Sequence, residues 1–366
     1  MVADLLSGTR GVTCGTMTTG GTESICMAVK TCRDKVREDK GITEPEMIMS
    51  QTVHPAFEKA AHYFGVKTIH VGVDADGRAD AAAMKAAVTK NTMMIVVSAP
   101  QYPHGVIDPV EDISEFGLAK DIWVHVDACV GGLFLPFLRM IGHPLPKFDF
   151  ALPGVCSMSA DIHKYGYAIK GASVVLYKNA EYRKHQFFAY GKWPGGLFVS
   201  PSMLGTRGGG SIAAAWAALV GMGKDGYCKL VKGVMETSKY IQDNVAMIEP
   251  LEIIGKPDMS IVAFRSTDKA VNIFAVGDVL ENQFGWRIER QQLPNSIHCS
   301  LMPSHGAVRE TFIKDLKAAI EIARNDPELL KKDSAAMYGM VASIPDGTLI
   351  DQFLVQFMSK VYNKKA

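Results

Sequence analysis

SADIHKYGYAIK, residues 159–170, stands between one apolar strand-like run and another, ASVVLYK (residues 172–178). A lysine in a Tyr/Gly turn between two buried strands, with His163 beside it, is placed to offer an amine to a carbonyl cofactor. Lys164 is therefore the candidate for the covalent cofactor link. Alone, a His-Lys pair carries little, because most lysines are solvated surface charges.

Three further features stand in order upstream. IWVHVDACVGG (residues 122–132) sets Asp127 at the end of a continuous apolar run bounded by glycines. Such a run suits a buried parallel strand, whose carboxyl end is where open α/β sheets bind ligands. A carboxylate buried there needs a cationic partner, and a protonated pyridine nitrogen is one. In MTTGGTESICMAVKTC (residues 17–32), Gly20 and Gly21 precede a helical pattern with Ile25, Val29, Cys32 and Val36 on one face. Thr22 is positioned to cap that helix, and amides opening a helix favour a phosphate. His54, in SQTVHPAF just after the strand-like MIMS, offers an imidazole to lie against an aromatic ring. Phosphate loop, stacking histidine, carboxylate and lysine, each beside a predicted strand, point to pyridoxal 5'-phosphate (PLP).

The chain resembles the sphingosine-1-phosphate lyases of the PLP-dependent group II decarboxylase family along nearly all its 366 residues. TTGGTES, HPAFEKAAHYFGVK, APQYPHGVIDPVEDI, HVDACVGG, SADIHKYGYAIKGASVVLY and MYGMVA carry the resemblance. GGTES, HVDA and HKYG fit many relatives, whereas PQYPHGVIDP and SADIHKYGYAIKG are specific to the lyases. The resemblance implies an α/β fold of type I, the aspartate aminotransferase-like PLP-dependent transferase fold. That is a mainly parallel seven-stranded sheet between helices, plus a small C-terminal α/β domain.

By position, the resemblance makes Lys164 the cofactor lysine, Asp127 the pyridinium partner and His54 the stacking residue. Gly20, Gly21, Thr22 and His163 hold the cofactor phosphate. Tyr102 and Lys170 match positions that handle the substrate, either being able to take the proton of its C3 hydroxyl. Lys170 and Arg207 are candidates for binding the substrate phosphate, although surface charge is an equal reading of Arg207. The implied reaction cleaves the C2–C3 bond of a phosphorylated sphingoid base to a long-chain aldehyde and phosphoethanolamine. A low amine pKa is expected at Lys164, from burial and neighbouring positive charge. The alternatives are an amino-acid α-decarboxylase and a silent dimer partner.

Two departures bear on this. Lyases carry an Arg-Pro-Gly loop where this chain has GTRGGGS (residues 205–211), and losing proline frees a fixed φ. In the family this loop reaches the cofactor phosphate of the neighbouring subunit of a homodimer with shared active sites. Family members also carry a longer region ahead of GGTES, which in eukaryotes includes an anchoring helix. A full-length version is thus expected on the cytosolic face of the endoplasmic reticulum membrane, and the chain as given reads as soluble.

Composition fits a soluble enzyme: net charge is +1 and 48% of residues are hydrophobic, with no nucleic-acid-binding signature. The longest apolar candidate, VGGLFLPFL, is too short to span a bilayer. Seven scattered cysteines suit a reducing compartment, and ten histidines show no metal-ligand spacing, so no metal is expected. Lysines cluster only at ELLKKD and the C-terminal YNKKA.

Strand-like runs at 47–50, 68–73, 93–98, 122–126 and 172–177 alternate with helical patterns, giving a large domain over 1–222 and a small one over 223–366. SIAAAWAALVGMG and GYCKLVKGVMETSKYIQDNVAMI read as two helices. QFFAYGKWPGGLFVSP (residues 186–201) combines Phe187, Phe188, Tyr190, Trp193 and Phe198 with turn glycines. Packing against a partner subunit is the favoured reading of these rings, and lining an alkyl slot the other.

Overall fold

Strands rich in apolar and small residues can be buried on both faces, and such strands build the centre of the large sheet. The computed structural model describes residues 1–342, 344 and 347–363, so the last three residues of YNKKA lie outside the described ones. The sheet comprises β1 (Cys14–Thr18), β2 (Glu46–Ser50), β3 (Lys67–Val71), β4 (Thr92–Ser98), β5 (Trp123–Asp127), β6 (Val155–Ala160) and β7 (Ser173–Tyr177), in the order β1-β7-β6-β5-β4-β2-β3. β2, β4, β5, β6 and β7 are buried at every position. β7 runs antiparallel to β1 and β6, while β3, β2, β4, β5 and β6 are parallel, as the sequence predicts.

β1 is the strand the hydrophobic pattern did not indicate. Its sequence, CGTMT, has no apolar run, and its place is set by contact. A Cβ built on Gly15 would stand 2.3 Å from Val175 O and 2.6 Å from Leu176 Cδ2, so only glycine lets β1 approach β7.

The helix Gly21–Lys40 lies on this sheet through the predicted face: Ile25, Val29, Cys32 and Val36 are all buried. They share a core with Met47, Phe57, Met94, Trp123 and Tyr177. Each large side chain buried there contributes roughly 1.5–3 kcal/mol. Gly41, at φ 66°, ends the helix in the left-handed conformation that glycine adopts without strain.

The two helices read after residue 210 form one stretch, Gly210–Val245, broken at Gly223 (φ 62°, ψ 177°). The first compact unit comprises Met1–Ser238, Ile254–Val262 and Ser300–Gly306, so it extends past residue 222. Tyr227 donates to Gly166 O (2.6 Å) and Ser238 to Met259 O (2.8 Å), which ties the helix beyond Gly223 to that unit. Two short strands, β8 (Phe188–Tyr190) and β9 (Phe198–Ser200), form an exposed hairpin carrying the aromatic stretch. A four-stranded sheet follows, ordered β10-β11-β13-β12, from Leu251–Ile253 (β10), Ile261–Ser266 (β11), Glu289–Gln291 (β12) and Ser296–Ser300 (β13). The helices Ile273–Phe284 and Arg309–Asn325 alternate with these strands, in keeping with the small C-terminal α/β domain that the resemblance implies.

Gly15→Ala should lower the unfolding free energy by about 1–3 kcal/mol, the range for an overpacked site. A thermal melt showing no loss would mean that β1 and β7 can part to admit a methyl group.

Candidate active site

β6 ends at Ala160, and the chain turns at once. Lys164 N–H donates to Asp161 O (3.3 Å), Tyr167 N–H to Lys164 O (3.0 Å) and Ala168 N–H to Ile162 O (3.3 Å). Gly166 is required here, since a Cβ on it would stand 2.4 Å from Ile162 O. His163 is pinned to the start of β7 at two points: its N–H donates to Ala172 O (3.0 Å), and its Nδ1 accepts from Ala172 N–H (3.2 Å). With Nδ1 accepting, the ring proton sits on Nε2. Burial pushes His163 down, with Lys170 and Lys164 assisting and Asp161 opposing, so the ring stays neutral.

A cleft of ≈ 380 Å³ opens above this turn. The start of the helix Gly21–Lys40 forms one wall with Gly20, Gly21 and Thr22, and the turn forms another with Asp161, His163 and Lys164. Thr19, Glu23, Ile25, His54 and Cys129 complete the lining. His54 accepts at Nδ1 from Ala56 N–H (3.1 Å), which leaves its other nitrogen as the protonated one in the neutral ring.

Thr22 does not cap the helix as expected. Gly20 is the capping residue and has no side chain to offer; instead Glu23 Oε2 reaches back to Thr19 N–H and Oγ1, both at 2.7 Å. The reason is register: the helix begins at Gly21, which puts Thr22 inside the first turn. Its first internal bond is Ser24 N–H to Gly20 O (3.0 Å), so the amides of Gly21, Thr22 and Glu23 precede the helical ladder and face the dipole's positive end.

Lys164 departs from expectation. Burial alone would lower its pKa, but the negative charge of Asp161, with Cys129 and Asp127, holds it above the ordinary lysine value. Its Nζ is 3.1 Å from Asp161 Oδ2. The sequence reading missed Asp161, which is only 2% exposed. The signal was available: a carboxylate three residues ahead of a lysine in a tight turn lies within reach of the amine.

Asp127 is buried at the carboxyl end of β5 and is not among the residues lining the cleft. Its Oδ1 accepts from Cys129 N–H (3.0 Å) and Ser159 Oγ (2.9 Å). Burial alone would raise it, yet the Cys129 donors, Lys164 and His125 bring it below the usual carboxylate value. No ion pair with a cationic side chain is formed by Asp127 among the described residues. A fixed anion supplied only with neutral donors fits the charged ring nitrogen of PLP, and the uncapped helix start fits its phosphate.

Behind Asp127 lies a chain of bonds running in one direction. Trp123 Nε1–H donates to Ser157 Oγ (2.7 Å), and Ser157 meets His125 Nδ1 at 2.7 Å. His125 Nε2 meets Ser159 Oγ at 3.3 Å, and Ser159 donates to Asp127. Every donor has an acceptor only if His125 is neutral with its proton on Nε2. Burial agrees, pushing His125 down to about 4, against the pull of Asp127.

Tyr102, Lys170 and Arg207 stand outside the lining residues of the cleft. Tyr102 is 41% exposed, in the turn after β4 closed by Gly105 N–H to Gln101 O (3.1 Å). Lys170 is exposed at the end of the lysine turn. Arg207 reaches the same turn, donating to Gly171 O (3.1 Å) and Ser211 Oγ (2.9 Å), and its Nε and Nη1 are buried with no hydrogen-bond partner among the described residues.

Residues 2–267 match the family described as the pyridoxal-dependent decarboxylase conserved domain. A sphingosine-1-phosphate lyase of Arabidopsis thaliana is 47% identical over 96% of this chain, which spans 64% of that relative. The solved sphingosine-1-phosphate lyase of Burkholderia pseudomallei K96243 superposes with a TM-score of 0.89 at 38% identity, covering 100% of this chain and 80% of that one. A Lactobacillus brevis glutamate decarboxylase shares the fold, with a TM-score of 0.77 at 21% identity over 89% of this chain and 78% of its own. The fold is that of type I PLP enzymes, and the chain belongs to the pyridoxal-dependent decarboxylase family, whose cofactor is PLP. Within that family it stands with the sphingosine-1-phosphate lyases.

Because His125 has a lowered folded pKa, the unfolded chain takes up its proton first as pH falls. Its contribution to stability is therefore present above about pH 6.5 and is lost as pH falls toward 4, by about 3 kcal/mol in all. Denaturant unfolding across that range should show a shallower loss in His125→Asn than in the parent; parallel curves would mean that His125 is not held neutral.

Proposed function

We propose that the protein is a PLP-dependent aldehyde-lyase. Its substrate is sphingosine 1-phosphate or a related phosphorylated sphingoid base, and its products are a long-chain aldehyde and phosphoethanolamine. The observation that carries this reading is the single cleft in which a helix start free of side-chain caps, a neutral His163 and the amine of Lys164 face one another. The curated lyase relatives, alike over nearly the whole chain, supply the substrate class. When bound, PLP supplies an electron sink for the bond that breaks at the amine-bearing carbon.

The chain's own residues divide the remaining work. The amides of Gly21 and Thr22, with Gly20 giving close backbone approach, take the cofactor phosphate, and His163 Nε2–H is the adjoining donor. Lys164 would hold the cofactor covalently, and His54, lining the same cleft, would lie against its ring. Asp127, kept ionised by Cys129 and Ser159, favours the charged form of the ring nitrogen. Tyr102 or Lys170 takes the proton of the substrate's C3 hydroxyl, directly or through water. Lys170 and Arg207, brought to neighbouring positions by the bond from Arg207 to Gly171 O, bind the substrate phosphate; the two unpartnered guanidinium nitrogens of Arg207 suit an anion.

A homodimer with shared sites belongs to this reading. Phe188, Tyr190, Trp193 and Phe198 are exposed on the β8–β9 hairpin, and among the described residues nothing lies within 4 Å of a Cβ built at Gly205, Gly208, Gly209 or Gly210. The loop 205–211 is thus open, as a segment reaching a second subunit would be. The endoplasmic reticulum membrane is the proposed location of a full-length version; among the described residues no helix is long and apolar enough to cross a membrane.

The test adds PLP and then sphingosine 1-phosphate to the purified chain, following the visible spectrum and phosphoethanolamine release. Lys164→Ala should lose both the visible band and all turnover. Tyr102→Phe should keep the band while cleavage slows on the order of 10²-fold, the scale of a lost general base. Carbon dioxide released from an amino acid, without phosphoethanolamine from the phosphorylated base, would replace this reading with α-decarboxylation.

A further inference from the structure

Asp161 has no role in the function proposed above, yet it lines the same cleft as Lys164 and is buried there. It follows directly on β6, its N–H donating to Cys129 O (3.3 Å), and is 2% exposed. Its Oδ2 stands 3.1 Å from Lys164 Nζ and 3.6 Å from His163 Nε2. Its Oδ1 is buried with no hydrogen-bond partner among the described residues. The carboxylate is also wedged under the helix start: a Cβ on Gly21 would lie 2.8 Å from Oδ2, 3.0 Å from Oδ1 and 2.9 Å from Cys129 Sγ. It is shut off from water, and its shorter ionic contact is with the lysine amine.

We propose that Asp161 is a positioning residue that holds free Lys164 as an ammonium aimed into the cleft, and so governs when that amine can react with a carbonyl group. The proposal rests on Lys164 being the cofactor lysine. An ammonium has no lone pair, so reaction requires it first to give its proton to solvent. The nitrogen then forms a bond to the aldehyde carbon, and the aldehyde oxygen leaves as water. The titratable groups around the amine are Asp161, His163 and Lys170 from the turn, Asp127 at the end of β5, the Cys129 thiol just beyond it, which burial keeps protonated, and Glu23 from the helix. His163 is neutral, so Asp161, in direct contact, dominates the balance. The raised basicity of Lys164 is consistent with this. Asp161 thus orients the amine at the cost of its reactivity, and removing the charge should make Lys164 more reactive near neutral pH.

The experiment is competitive acetylation of the cofactor-free full chain by acetic anhydride over a pH series, with Lys164 and exposed Lys239 read in the same samples by peptide mass spectrometry. In the parent chain the reactivity midpoint of Lys164 should lie above that of Lys239. In Asp161→Asn it should fall by about one unit or more, raising the Lys164 rate at pH 7 on the order of tenfold, while Asp161→Glu restores the parent profile. A parent midpoint at or below that of Lys239 overturns the proposal whether or not the variants fold, as does an unshifted midpoint in folded Asp161→Asn. Borohydride trapping of PLP separately identifies the cofactor lysine. Trapping on another residue would overturn the functional assignment of Lys164, whereas the acetylation profile reports only its pairing with Asp161.

Discussion

Burying the carboxylate of Asp127 without pairing it to a basic side chain is the constraint around which the site is built. An isolated charge in a dry interior is costly, and the fold meets that cost with neutral donors. The Cys129 amide and the Ser159 hydroxyl hold one oxygen, and Ser159 is oriented by His125 in turn. This explains why β5 and β6 must be parallel neighbours in the observed register, where Asp127 lies opposite Ser159. A slip of one residue would point the serine to the opposite face and leave the carboxylate without its side-chain donor.

The same adjacency places the lysine. β6 carries Ser159 beneath Asp127 and, one residue beyond its end, delivers Asp161 and then Lys164 above it. Reversing direction into β7 within a dozen residues forces the tight turn that fixes His163 against Ala172. One turn therefore fixes an anion, a neutral donor and an amine in relation to one another. The helix Gly21–Lys40, packed on the sheet through its apolar face, brings the positive end of its dipole over them.

Much of this was legible in the sequence because it depends on local pattern. The apolar runs ending in Asp127 and flanking Lys164 gave the central strands and their order along the chain, and the glycines before residue 22 gave the helix start. β1 was not legible, since a polar, glycine-bearing strand exists only through the close approach of β7 to Gly15. Nor was the start of the helix, which begins at Gly21, two residues earlier than a threonine cap at position 22 requires, so that Gly20 is the capping residue and no side chain caps the first turn. The basicity of Lys164 was misjudged for a related reason. Burial was read from the strands on either side, whereas the charge that outweighs it comes from Asp161 in the same turn.

The two carboxylates near the amine do different work because their surroundings differ. Asp127 has neutral donors on it and lies off the cleft wall, so it can act on whatever cation is set against it while remaining ionised. Asp161 lines the cleft and is committed to Lys164 for as long as that nitrogen carries a charge. When the amine gives up its charge, His163 Nε2–H, already 3.6 Å from Asp161, is a donor left beside it. The bond from Ala172 N–H to His163 Nδ1 keeps that proton on Nε2, so the backbone of β7 helps decide which donor faces Asp161 after the amine has reacted.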